Sequence, residues 1–169
     1  WTDMQCPFCA YAFPIVRAAA AKAKVPIVHY DFMIPGHQWS PTAEVFARYL
    51  RDKVSAELEL EYRREVFVKQ MTIAGPDDLD RFTRAFIAAH HKTMPMVVDP
   101  TGRFKKEVQA DHDLGLKMGL MKTPEIFVVT RTRWIDVANI NELEAAITTA
   151  QAEAAKASGP VQRKVAGRK

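Results

Sequence analysis

Cys6 and Cys9 are the only two cysteines among 169 residues, and they stand three apart in QCPFC. A proline at the first position of a helix loses nothing by lacking an N–H. The alanine-rich stretch that follows, PFCAYAFPIVRAAAAKA at 7–23, favours a helix, with a kink expected at Pro14. Cys6 then falls at the N-cap and Cys9 one turn later on the same side. Uncapped backbone N–H groups and the positive end of the helix dipole point at Cys6 and favour its thiolate. A thiolate is the species that attacks disulfides. Cys9 is placed to strike back at a mixed disulfide and release it. Pro7 fixes the spacer and Phe8 fills it, so the four residues read as a reversible dithiol/disulfide couple.

Other uses of the pair fit less well. A structural zinc site draws on about four ligands, and the five histidines, at 29, 37, 90, 91 and 112, are scattered. No metal is therefore expected. A purely structural disulfide would close a very small loop and contribute little. No phosphate-binding glycine loop, Ser/His/Asp set or paired-carboxylate site accompanies the cysteines, and no cofactor is expected.

Around this pair the elements follow from local pattern. VPIVHYDFM at 25–33 is β-branched and aromatic and predicts a strand. IPGHQWSP is a loop, with His37 and Trp39 read as packing residues. From Thr42 to His91 the helical period dominates. Val45, Tyr49 and Leu50 are expected on one face, with Arg48, Arg51 and Asp52 off it. ELELE at 57–61 alternates like a strand, but its strong helix-forming neighbours favour helix. GPDDL opens a further helix with Leu79, Phe82 and Phe86 on one side. Residues 103–118 read as a helix ended by Gly119. PEIFVVT and TRWIDV, within 124–137, are strand-like, and 139–157 is a helix capped by Asn139 or Asn141. The order is helix, strand, a block of helices, two strands, helix: an α/β fold with a helical insertion.

Length and composition suit one compact domain, 48% hydrophobic and 26% charged. No stretch is apolar enough for a membrane span, and no signal peptide is present in the sequence. The chain opens at Trp1, and a preceding piece carrying compartment information is expected. The net charge of +4 arises at one end: residues 156–169 hold five Lys/Arg and no Asp/Glu, and without them 19 basic residues face 20 acidic. That segment reads as a basic, disordered tail, and nothing in the charge pattern calls for nucleic acid.

WTDMQCPFC resembles the active-site segment of the DsbA-like thiol–disulfide oxidoreductases of the thioredoxin superfamily. LMKTPEIFVV resembles the second signature of that family, a cis-proline followed by a strand. The resemblance spans essentially residues 1–150. It implies a thioredoxin-like domain from 1–35 and 120–157, its first strands absent from the sequence, an inserted helical block at 36–119 and a tail at 158–169. It also implies that Thr123 and Pro124 lie beside Cys6 and dock an extended substrate chain by strand addition. The function implied is an enzyme, a disulfide donor to unfolded or cysteine-containing proteins, restored by a redox partner, monomeric, and periplasmic or otherwise extracytoplasmic. A reductase or isomerase with the same site kept reduced is an alternative, as is a non-catalytic thioredoxin-like binding module.

Phe8 stands where the best-known oxidases of the family carry histidine, which can donate a hydrogen bond to the thiolate. The Cys6 pKa is therefore expected below that of an ordinary thiol but above that of the strongest oxidases. Met4, Phe8 and Met121 are candidates for an apolar rim. Asp31 and Glu125 are read as an ordinary loop-proximal carboxylate and an exposed one, with a proton relay to Cys9 as the sharper possibility.

Overall fold

The computed structural model describes residues 1–157, so the basic tail expected at 158–169 lies outside the described residues. Among the described residues the protein is mostly helical, at 60%, with one small two-stranded antiparallel sheet. The chain divides into two compact units, Trp1–Glu125 and Ile126–Lys169.

The first unit opens with helix α1 (Pro7–Ala23), which has Pro7 at its first turn and runs through Pro14. Lys24 ends it in the left-handed region, its N–H returning to Ala20 and Ala21. Helices α2 (Ser40–Lys53), α3 (Ala56–Lys69), α4 (Pro76–Ala89) and α5 (Arg103–Lys117) follow, with a 3₁₀ turn at Gln70–Thr72. The alternation of ELELE loses to the four-residue repeat: Leu58, Tyr62 and Val66 line one buried stripe of α3. Ser55 caps that helix, its side chain accepting from the Leu58 N–H at 3.1 Å. On α4, Leu79 and Phe86 are buried and Phe82 packs against the same core. Gly119, at φ +82°, ends the α5 segment as expected, and the Leu120 N–H reaches back to Gly115.

Two expectations need correction. Residues 25–33 form no strand beyond a single parallel bridge between Thr2 and Asp31. The segment is two-sided, with Val25 and Ile27 half-buried and Pro26 and Val28 exposed. Its only ladder bonds among the described residues are Thr2 N–H to Tyr30 O and Phe32 N–H to Thr2 O, and Pro26 has no donor to extend them. On α2 the buried face is Ala43, Glu44, Phe46, Ala47 and Leu50; Val45 and Tyr49 are only half-buried. A buried glutamate moves that face by about one residue because its carboxyl finds its hydrogen-bond partners, Met4 N–H and Arg63, inside the protein.

The core of this unit is continuous with the cysteines, as Met4, Cys6, Cys9, Phe13 and Trp39 join the buried helix faces. The second unit pairs β1 (Phe127–Val129) with β2 (Trp134–Asp136), in register from Phe127 opposite Asp136 to Val129 opposite Trp134. The Asn139 side chain accepts from the Asn141 N–H and caps a 3₁₀ turn at Ile140–Glu142. Helix α6 (Leu143–Ala157) then buries Leu143, Ile147 and Ala150. Among the described residues no helix is long and apolar enough to cross a membrane.

Candidate functional site: a buried cysteine pair at a helix start

Cys6 is the N-cap of α1, with an extended backbone (φ −81°, ψ 120°). Its carbonyl takes the N–H groups of Cys9 and Ala10, both at 3.1 Å. Both cysteines are thiols here, Cys6 5% exposed and Cys9 fully buried. As a thiol, Cys6 donates to the Thr123 carbonyl at 3.4 Å. As a thiolate it is held first by a hydrogen bond from the Cys9 thiol. Burial opposes ionisation, while the Thr123 side chain and the backbone N–H groups of Cys9 and Phe8 favour it, and the Cys6 pKa is lowered to about 5. The Thr123 hydroxyl is buried with no other partner. The same Cys6–Cys9 hydrogen bond, with burial added, pushes the Cys9 thiol far up. The pair thus separates into a ready nucleophile near the surface and a sealed thiol behind it.

The turn before Cys6 is tied residue by residue to the helical segment. Asp3 donates its N–H to Cys9 Sγ at 3.5 Å. The Asp3 carboxylate accepts from Gln5 N–H and Ile34 N–H and meets His37 Nδ1, each at 2.7 Å. Met4 donates its N–H to Glu44 Oε1 at 3.1 Å and accepts at its carbonyl from Gln70 Nε2 at 2.9 Å. Gln5 Oε1 accepts from the N–H groups of Trp39 and Ser40, and so caps α2, whose own N-cap supplies no side chain.

Beneath this turn lies a buried ionic cluster. Arg63 contacts Glu59, Glu44 at 2.7 Å and Asp31 at 3.1 Å, and Arg48 contacts Asp31 at 2.7 Å and also Asp111. Four carboxyls therefore face two guanidiniums. Burial raises Asp31, but Arg63, a hydrogen bond with Glu44 and Arg48 together hold its carboxyl below the usual range. Burial, and then the charge of Asp31, push Glu44 well above that range despite Arg63. Glu44 is the member that keeps a proton.

The expected site residues gather unevenly. Pro7 is at the first helical position and Phe8 is 72% exposed. The Thr123–Pro124 bond is cis, with Thr123 buried and touching Cys6. Met121 is 84% exposed beside this segment, whereas Met4 is fully buried and forms no rim. Asp31 is not an ordinary loop carboxylate; it is fully buried in the ion cluster. Glu125 is also not exposed, its side chain being 14% accessible with Lys122 at 4.0 Å. His37 and Trp39 pack, as expected, His37 against Asp3 and Trp39 within the core. Among the described residues no three His, Cys, Asp or Glu side chains are grouped to hold a metal ion.

Sequence reasoning missed Asp3, Glu44, Arg63 and Gln70. The four-residue spacings Glu44/Arg48 and Glu59/Arg63 were a visible signal, but such pairs ordinarily sit on solvated faces. Comparison of the chain with protein-family models, with curated proteins and with solved structures gave no match.

Proposed function

We propose that this chain is a thiol–disulfide oxidoreductase of the DsbA-like kind, a thioredoxin-like domain with a helical insertion, acting outside the cytoplasm as a monomer. The observation that carries the reading is the asymmetry of the pair: Cys6 ionises at about 5 at the edge of the core, while Cys9 is sealed and stays protonated. The resemblance of CPFC and of the Thr123–Pro124 segment to that family supports the same reading.

In the oxidised protein a substrate thiolate attacks Cys6 Sγ, because Cys9 is out of reach. The Cys6–Cys9 bond breaks, Cys9 leaves with the electron pair and takes up a proton, and a mixed disulfide joins Cys6 to the substrate. A second substrate thiolate then attacks the substrate sulfur of that bond. Cys6 leaves as the thiolate, a good leaving group because its pKa is low. The substrate has lost two electrons and gained a disulfide. The protein now holds the dithiol and needs a separate oxidant, a disulfide-bearing redox partner, to start again. Thr123 and Pro124 are suited to align an extended substrate chain beside Cys6.

Equilibration of the protein with glutathione buffers tests both the activity and its direction. A reduction potential at or above about −180 mV supports a disulfide donor, and one near about −270 mV makes the protein a reductase or isomerase. Full activity of Cys6→Ser in an oxidative folding assay would show a binding module and sink the redox reading.

A further inference from the structure

Residues 3–6 form a turn closed by the Cys6 N–H on the Asp3 carbonyl at 3.0 Å. Its first residue gives its N–H to Cys9 Sγ, and its last residue is Cys6 itself. The position of this one turn therefore sets the N–H that faces Cys9 and the point at which α1 begins. Part of it is self-held, since Gln5 N–H rests on Asp3 Oδ1. The Met4 peptide groups instead look outward to the helical segment, the N–H to Glu44 and the carbonyl to Gln70. Gln70 is 7% exposed and lies 66 residues along the chain from Met4. Its backbone belongs to the 3₁₀ turn after α3, which leaves the side-chain amide to serve Met4.

We propose that Gln70 is a positioning residue for the Cys6–Cys9 pair: by donating to the Met4 carbonyl it fixes the turn Asp3–Cys6, and with it the Asp3 N–H on Cys9 Sγ and the start of α1 at Cys6. The proposal rests on the redox reading of the pair. Gln70 touches neither sulfur and exchanges no proton or electron. Without its amide, the buried Met4 carbonyl loses a donor and the Met4–Gln5 peptide turns to find another. Asp3 N–H and the start of α1 move with that peptide, and the thiolate at Cys6 loses part of its prearranged support. The dithiol form is then less favoured and the disulfide more so.

Gln70→Met keeps the length and removes the donor, and Gln70→Leu provides a second variant of different shape. Thiolate absorbance against pH gives the Cys6 pKa in each, and glutathione equilibration gives the redox balance. In whichever variant folds, the Cys6 pKa is expected to rise by about half to one pH unit, and the balance to move about three- to tenfold toward the disulfide. Phe86→Leu, in the α4 core and without any hydrogen bond to residues 3–6, serves as a control for general loosening. It is expected to leave both readings unchanged. An unchanged Cys6 pKa in a folded Gln70 variant would overturn the proposal, as would an equal rise in Phe86→Leu. A wild-type protein that fails to equilibrate with glutathione would sink the redox reading instead, and the Cys6 pKa would still decide the role of Gln70.

Discussion

Arg63 Nη1 and Glu44 Oε2 lie 2.7 Å apart with both side chains sealed from solvent. The guanidinium answers Glu44, Asp31 and Glu59 together, and its own pKa is pushed well above the usual value, burial being outweighed by Glu44 and the other carboxyls. Arg63→Met removes that cation and keeps most of its volume. The variant is expected to be destabilised by about 3–5 kcal/mol, the range for breaking a buried pair from one side. Chemical denaturation at neutral pH measures this. The loss is expected to shrink toward about pH 4, where stranded carboxylates take up protons; a loss below about 1 kcal/mol at neutral pH would contradict the assigned role.

The hydrogen bond from Cys9 lowers the Cys6 pKa to about 5, so alkylation of Cys6 should follow a titration centred there, with Cys9 unreactive at neutral pH. The folded value lies below that of an unfolded thiol, about 8.5. Cys6 thus adds stability to the reduced protein that is complete above about pH 8.5 and is lost as pH falls through 5. The stability of the reduced protein relative to the oxidised one should rise between pH 5 and 8. Parallel denaturation of the two forms checks it, and a flat difference would refute the assignment.

Phe8 is 72% exposed, so Phe8→His leaves the core untouched. Histidine adds a donor that phenylalanine lacks. The expected outcome is a lower Cys6 pKa and a glutathione equilibrium displaced about tenfold toward the dithiol, equivalent to one charge-assisted hydrogen bond. An unchanged equilibrium would mean that residue 8 does not tune the couple.

Gly115 lies inside α5, where alanine would normally stabilise a helix by about 1 kcal/mol. Here a Cβ would stand 2.5 Å and 2.8 Å from two ring carbons of Phe32. Phe32 is 3% exposed and stacks on His112 with ring centroids 4.6 Å apart, so it has little room to give. Overpacking of this kind costs about 1–3 kcal/mol and outweighs the propensity. Gly115→Ala should lower the thermal midpoint, and a rise would show that the Phe32 ring swings aside.

The cysteine pair and the helix start at Pro7 were legible because they depend on neighbours within a turn. So were α3, through its four-residue repeat, and the end of the α5 segment at Gly119. Residues 25–33 were misread because the extended habit of β-branched residues is local, whereas a ladder needs a partner. Asp31 was misread and Glu44 was missed for a related reason. An acidic side chain announces exposure unless its cation is known, and the cation here, Arg63, lies 32 and 19 residues away in the chain. The link from Gln70 to Met4 joins a side chain to a backbone carbonyl and leaves no pattern in either stretch.

The cross-ties of residues 3–5 bear on how such a site is carried from one protein to another. The tetrapeptide CPFC is portable as a string, but its environment is contributed by Ile34, His37 and Trp39 from the loop before α2, Ser40 and Glu44 from α2, and Gln70 from the 3₁₀ turn after α3. Grafting the tetrapeptide alone into a host would transplant the chemistry without its settings. A faithful graft must take the Asp-Met-Gln leader together with the glutamate and glutamine that clasp it. In descendants of this chain, substitutions at these distant positions should therefore arise in concert.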